Sequence, residues 1–448
     1  MTRPGDARDS AADPDRLLVR ALGVRQLTAT IFNHTVGSGI FVLPAFAVAT
    51  LGSAAPVAYL VCAAVMALVV LMFAEAGSRV TITGGPYAYV EVGLGPFFGF
   101  AAGILLAVSQ ISAAGAIAML LAESVARLLG LAGAAWPAAI VVLFVVGLAA
   151  VNIRGVSRGA RVIEIFTAAK LVPLLFFVVV GAFFVTPANL HWDSLPAAGQ
   201  VATTVGTLIF AFTGIETALM PSGEVKDPTR TVPRAAMLAL GGATLLYLAV
   251  QAVGLGVLGT ALGNDKVAPL ASATGTFAGS AGAALVLAGA SVSMFGWLTG
   301  SILAGPRALF ALARDGFLPR GLAAVHPRFH TPHVAILVYG VLAIAISLTS
   351  TYQQLAVLSN LASFGVYLLG AVAVWRLRVR DVRTEKPPFL MPGGMLVPVL
   401  ACAAITWIAV RTITLREALA LGGVFVLSLV VYVVQRQQRH GAAGRRPF

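Results

Sequence analysis

Phe32-Asn33-His34-Thr35-Val36-Gly37-Ser38-Gly39-Ile40-Phe41 lies in the middle of the first long apolar stretch of this 448-residue chain. Two glycines flanking a serine weaken a helix in its interior, where each glycine costs roughly 1 kcal/mol relative to alanine. Taken alone, such a pattern more often lets two helices pack closely than it binds a ligand. A second stretch changes its meaning. Phe210-Ala211-Phe212-Thr213-Gly214-Ile215-Glu216 interrupts the sixth apolar stretch in a matching way. If stretches 1–5 and 6–10 form two inverted halves, the first and sixth correspond, and paired interruptions mark a binding site at the membrane midplane.

The rest of the composition agrees with a membrane setting. Hydrophobic residues make up 59% of the chain and charged residues 10%, too little charge to cover a soluble domain of this size. No Asp, Glu, Lys or Arg occurs between Arg25 and Glu75, Glu91 and Glu123, Lys266 and Arg307, or Arg328 and Arg376. Each gap holds one or two runs of the ~20 apolar residues that cross a bilayer. Reading these runs against breakers predicts twelve spans, roughly at 27–50, 55–78, 97–126, 136–153, 162–186, 200–221, 234–259, 280–312, 333–350, 354–375, 395–413 and 417–435. The first 25 residues are polar and lack a short apolar core with a cleavage site, so a retained, disordered tail is expected. Cys62 and Cys402 fall inside apolar spans and read as packing residues, not a disulfide.

The net charge of +13 would suggest nucleic acid in a soluble protein. With the N-terminus cytoplasmic, however, 25 of the 30 lysines and arginines fall on the cytoplasmic side. Only Arg127, Lys266, Arg411 and Arg416 fall on the other side, and Lys170 lies within a span. That asymmetry predicts a multi-pass cell membrane protein with both termini cytoplasmic. The basic loops then face anionic lipid, and no nucleic acid partner is expected.

Unwinding a helix frees amides at the start of the following half-helix, whose dipole favours an anion. It also frees carbonyls at the end of the preceding half-helix, which suit a cation. A zwitterionic amino acid matches both. The carboxylate is expected on the amides of Ser38, Gly39 and Ile40, beside Val36 and Gly37, and the ammonium on carbonyls near Thr35, Phe210, Ala211 and Thr213.

Gly37-Ser38-Gly39-Ile40-Phe41 resembles the substrate motif of the amino acid–polyamine–organocation superfamily of permeases. Four further regions are similar to that family in the same order. They are Ala74-Glu75-Ala76 with Gly84-Gly85-Pro86-Tyr87-Ala88-Tyr89, and Gly223-Glu224-Val225-Lys226-Asp227-Pro228 through Pro233-Arg234-Ala235. The third is Pro306-Arg307-Ala308 with Ala313-Arg314-Asp315-Gly316-Phe317-Leu318-Pro319 and Thr331-Pro332, and the fourth is Pro388-Phe389 with Pro392-Gly393. One departure is Gly223, where the family often has an acid. The resemblance implies an all-α membrane protein with twelve transmembrane helices in a leucine-transporter-type five-plus-five inverted repeat. Residues 1–25 are then a tail, 26–190 and 191–380 the two repeats, 381–436 helices 11 and 12, and 437–448 a second tail. It also implies a secondary active amino acid permease with no cofactor.

Lys170, between Ala169 and Leu171 in the fifth span, is costly in a bilayer. It either snorkels toward the cytoplasm or serves the site. Sodium-coupled relatives of the fold bind sodium beside spans 1 and 8, and some proton-coupled family members resemble this chain in placing a lysine there. Lys170 is therefore expected to replace the ion and carry a proton, with Ser291 and Ser293 as polar neighbours. Glu216 reads equally as a structural carboxylate and as a gate or proton sensor. His34 is expected to bond a helix carbonyl, Phe210 to pack or to close over the substrate, and Glu75, Glu123 and Glu164 to be structural. Phe41, Phe210, Phe212 and Met294 are expected as walls of a pocket for neutral substrates.

Rival classes lack their signatures. The six histidines form no His-Glu-x-x-His or other catalytic cluster, and no repeated filter points to a channel. Family members that join a heavy chain use a cysteine between spans 3 and 4, and Gly130–Trp136 has none. An exchanger, or a carrier of polyamines or other organic cations, is the remaining alternative.

Overall fold

The computed structural model describes residues 23–80, 85–154, 159–192, 195–214, 225–314, 316–383 and 387–443, with the backbone alone at 159–169, 228 and 435–443. The expected N-terminal tail, all but its last three residues, and Glu216 lie outside the described residues. The described chain is all-helical. The first apolar stretch forms two helices, α1 (Val24–Thr35) and α2 (Gly39–Leu51), with Val36, Gly37 and Ser38 non-helical between them. There follow α3 (Ala55–Arg79), the short α4 (Pro86–Leu94), α5 (Pro96–Leu128), α6 (Ala135–Ile153) and α7 (Gly159–Gly181). Proline in the first turn of α3, α4 and α5 sits where its missing N–H costs nothing.

The sixth stretch begins as α8 (Ala198–Leu208), tightens into a 3-10 turn at Ile209–Ala211 and leaves the helix at Phe212–Gly214. Beyond it lie α9 (Pro228–Leu258), α10 (Pro269–Arg314), α11 (His333–Thr349), α12 (Tyr352–Val379), α13 (Leu396–Thr412) and α14 (Leu415–Ala443). Gly279, at φ 66°, interrupts α10. This left-handed geometry strains any other residue, and α10 begins eleven residues before the predicted start of the eighth span at 280. Thr351 and Gln354 form a reciprocal capping box at the start of α12, with Gln354 N donating to Thr351 Oγ1 at 3.3 Å and Thr351 N to Gln354 Oε1 at 3.1 Å.

Among the described residues, seven helical stretches are long and apolar enough to cross a membrane. Four shorter apolar helices, Lys170–Phe184, Ala198–Ala211, His333–Thr349 and Leu396–Thr412, accompany them. Large apolar side chains such as Leu143, Leu245, Val341 and Val410 stand exposed on the helix exteriors, as lipid-facing surface requires. Inside, α9 packs against both α1 and α3, while α5 packs against α10 and α12. The α9 contacts matter most for function, because they bring one face of that helix to the gap between α1 and α2.

Two charged residues buried at the end of α3, Glu75 and Arg79, pair with each other. Glu75, fully buried, accepts from Arg79 Nε at 3.0 Å, from Met391 N at 3.1 Å and from two nitrogens of Arg378. Arg79 reaches on to the Val382 carbonyl at 3.2 Å, and Phe389 N donates to Ser78 Oγ at 2.9 Å. One carboxylate thus fastens the end of α3 to the end of α12 and to the segment before α13. Glu75→Ala leaves two guanidiniums without their anion and is expected to cost about 3 kcal/mol. A lower melting temperature in detergent is the readout, and an unchanged one would contradict the structural role. Elsewhere, Arg127 at the end of α5 pairs with Asp265 before α10 at 2.7 Å. Burial pushes the Asp265 carboxyl up, but hydrogen bonds from Ser272, Ala268, Val267 and Arg127 outweigh it and hold the group below the usual carboxylate range.

Candidate functional site

The carbonyls freed at the gap between α1 and α2 find side-chain donors from three other helices. Lys170 of α7 is 4% exposed, and its Nζ donates to the carbonyls of Asn33 at 2.7 Å and Val36 at 2.8 Å. Tyr247 of α9 places its hydroxyl 2.9 Å from the Thr35 carbonyl and 2.6 Å from the Ala211 carbonyl. Ser293 of α10 donates to the Gly37 carbonyl at 3.4 Å. Without these partners, carbonyls this deeply buried would each cost on the order of 1–3 kcal/mol.

Close packing holds the two broken stretches together. A Cβ on Gly39 would lie 2.8 Å from both Cα and Cβ of Ala211, so the start of α2 lies directly against the 3-10 turn after α8. Asn360 of α12 adds a bond to the Gly206 carbonyl at 2.7 Å, just before that turn. A Cβ on Gly289 of α10 would collide with Pro173 of α7. That contact presses α7 onto α10 one turn beyond Lys170, which seats the lysine beside the gap. Since α2 begins at Gly39, the amides of Gly39 and Ile40 have no intrahelical acceptor and face back into the gap, while Phe41 N donates to the Ser38 carbonyl at 3.0 Å. Ser38 Oγ is buried there and makes no hydrogen bond among the described residues.

Aromatic rings close one side. The edge-on Phe210–Tyr352 contact has centroids 5.8 Å apart, and Phe46 lies 6.2 Å from Tyr352. Lys266 Nζ sits 5.7 Å over the Phe46 ring. The Tyr352 and Ser38 hydroxyls are both buried, and neither makes a hydrogen bond among the described residues. On another side, Trp297 of α10 lies against Gly37, with its Cδ1 3.3 Å from where a Cβ would stand. The arrangement sets backbone amides on one helix end beside backbone carbonyls on two others. Among the described residues, no cluster of His, Cys, Asp or Glu could hold a metal.

Comparison with known proteins then identifies the class. A family model described as amino acid permease matches residues 22–434. The chain belongs to the amino acid permease family. A transporter of Mycobacterium tuberculosis is 32% identical, across 97% of this chain and 95% of its own length. The methylthioribose transporter of Bacillus subtilis is 29% identical, over 95% of this chain and 93% of its own. The serine/threonine exchanger of the same organism is 30% identical, over 87% and 90%. The permease is thus a multi-pass membrane transporter and not an enzyme, as its sequence implies.

Thr35, Val36, Gly37, Ser38, Gly39 and Ile40 lie in or beside the permease's first break, and Phe210, Ala211 and Thr213 in the second; the Gly39–Ala211 contact joins the two. The expected free carbonyls are already engaged. Thr35 and Ala211 share Tyr247, and the Phe210 carbonyl accepts from Thr213 Oγ1 at 2.9 Å. Lys170 does not snorkel outward. Its expected neighbours divide: Ser293 donates into the break, whereas Ser291 turns its hydroxyl back on Leu287 of its own helix at 2.9 Å. Of the four expected walls, Phe210 meets Tyr352 edge-on and Phe212 meets Tyr247 edge-on at 4.9 Å, while Phe41 and Met294 line a separate apolar void with Val42 and Ala290. Sequence reasoning missed Tyr247, Tyr352 and Trp297. Tyr247 carried a usable signal, a phenol deep in an apolar run, where a buried hydroxyl must find an acceptor.

Proposed function

We propose that this permease is a proton-coupled secondary active transporter of neutral amino acids in the cell membrane. Its twelve transmembrane helices would form two inverted repeats, 26–190 and 191–380, with helices 11 and 12 at 381–436 and both termini cytoplasmic. The observation that carries the reading is Lys170, whose ammonium donates to Asn33 O and Val36 O within the broken first span. A protonated lysine supplies the positive charge that those carbonyls attract. Loss of its proton would remove that charge and let α1 and α7 part, which couples proton release to the change of access. The amides of Ser38, Gly39 and Ile40 receive the substrate carboxylate, and the carbonyls of Thr35, Ala211 and Thr213 its ammonium, with Phe210 closing over it. Glu216 lies in the same broken stretch and is a second proton-linked group in this scheme. The permease works alone, without a heavy-chain subunit or a cofactor.

Purified permease in proteoliposomes, offered a panel of amino acids with and without an imposed proton gradient, tests the proposal. Uptake of at least one neutral amino acid, accelerated by an inward proton gradient, is the expected result. Transport indifferent to the gradient would remove the coupling, and transport of diamines in preference to amino acids would remove the substrate assignment.

A further inference from the structure

Among the described residues, Tyr247 is the one side chain that bonds the carbonyl ends of both broken stretches at once. Its hydroxyl oxygen stands 2.9 Å from Thr35 O and 2.6 Å from Ala211 O, at 1% exposure for the residue. Those two carbonyls belong to the group that the proposed substrate ammonium would occupy. A phenol has one proton, so it serves two acceptors only by sharing it, whereas an ammonium brings three. Thr35 O also accepts from Gly37 N across a tight turn at 2.9 Å, which leaves its second lone pair for Tyr247. The ring itself is held by Phe212, edge-on at 4.9 Å, and by Tyr59 at 6.3 Å, so the hydroxyl is aimed whether or not a ligand is present.

We propose that the Tyr247 hydroxyl is an internal stand-in for the substrate's ammonium, satisfying the Thr35 and Ala211 carbonyls while the site is closed and empty. The inference rests on the amino acid reading given above. A carrier that works by net uptake must return empty, and on the way it passes through a closed state that water does not reach. In that state Tyr247 is the donor that pairs the Ala211 carbonyl and fills the second lone pair of Thr35 O. Substrate displaces it with a stronger, three-proton donor, so the loaded carrier does not need the phenol. The residue therefore eases the empty return without contributing to substrate binding.

Tyr247→Phe tests this, since it removes one oxygen and leaves the ring contacts in place. In proteoliposomes, net uptake into substrate-free vesicles is expected to fall about tenfold, the cost of leaving a buried acceptor unpaired. Exchange against internal substrate should stay within about threefold, with KM unchanged or lower. The melting temperature of the empty variant should drop, and saturating amino acid should raise it by more than in wild type. If the wild-type protein proves to exchange only, the melting comparison decides alone. Equal losses in both transport modes with a raised KM, or no change in either measurement, would overturn the stand-in role while leaving amino acid transport intact. A wild-type protein that moves only amine-free substrates would overturn both readings together.

Discussion

Replacing Lys170 with alanine is expected to lower amino acid uptake by at least about tenfold and to abolish its response to an imposed proton gradient. Two effects combine. The variant strands the Asn33 and Val36 carbonyls, each worth on the order of 1–3 kcal/mol when buried without a donor. It also removes the group proposed to gain and lose the proton. Lys170→Arg separates these effects. Arginine keeps a positive donor near the gap but does not release its proton in the working pH range. A purely structural lysine would be rescued in part by arginine with gradient dependence intact. A coupling lysine would give a folded, substrate-binding protein whose transport ignores the gradient. Alanine variants that still respond to the gradient would contradict the coupling role outright.

Gly39→Val is expected to abolish measurable transport, a loss of roughly a hundredfold or more, for a steric reason. Even a bare Cβ at this position would stand 2.8 Å from Ala211 Cα and 3.2 Å from Leu43 Cδ1. The Ala211 contact includes backbone, so no side-chain rotation relieves it, and the broken ends of the two stretches must move apart. Separation would pull the Thr35 and Ala211 carbonyls away from their common partner, Tyr247. Gly241→Ala is the control, because a Cβ there meets nothing within 4 Å. The measurements are initial uptake rate and elution profile in detergent. A Gly39→Val protein that elutes normally and transports at the control's rate would show that the close approach is incidental.

Much of the architecture was legible because a bilayer punishes polar backbone and charge so heavily. Apolar runs and their breakers announced the long helices that the described residues show, though not the short α4 between α3 and α5. The interruption at 36–38 was legible for a related reason, since two glycines in mid-span have no cheap use as regular helix. Lys170 announced itself by its cost. Its partners did not, because a backbone carbonyl carries no residue-specific mark and Asn33 is 137 positions away. The same blindness hid Tyr247, whose acceptors are both main-chain oxygens. It also hid the partner of Glu75, since Arg378 lies 303 residues further on and only packing brings them together.

Which of the expected pocket walls flank the breaks was hidden for another reason. Phe41, Phe210, Phe212 and Met294 are equally apolar in the sequence, yet two of them turn toward neighbouring tyrosines and two line a different void. Which way a large side chain points at a helix break depends on backbone angles that periodicity does not report, because periodicity stops where the helix stops.

By itself, then, the sequence determined that the chain spans a membrane as helices, that two of those helices break, and that one lysine sits inside the apolar layer. Each follows from a local free-energy cost, paid within a few residues of where it is read. Only the tertiary structure decided which donors answer the exposed carbonyls and how closely Gly39 meets Ala211. It also decided that a single phenol spans the two breaks. Those outcomes depend on distances between segments far apart in the chain, and the helix packing that sets such distances is a property of the whole bundle.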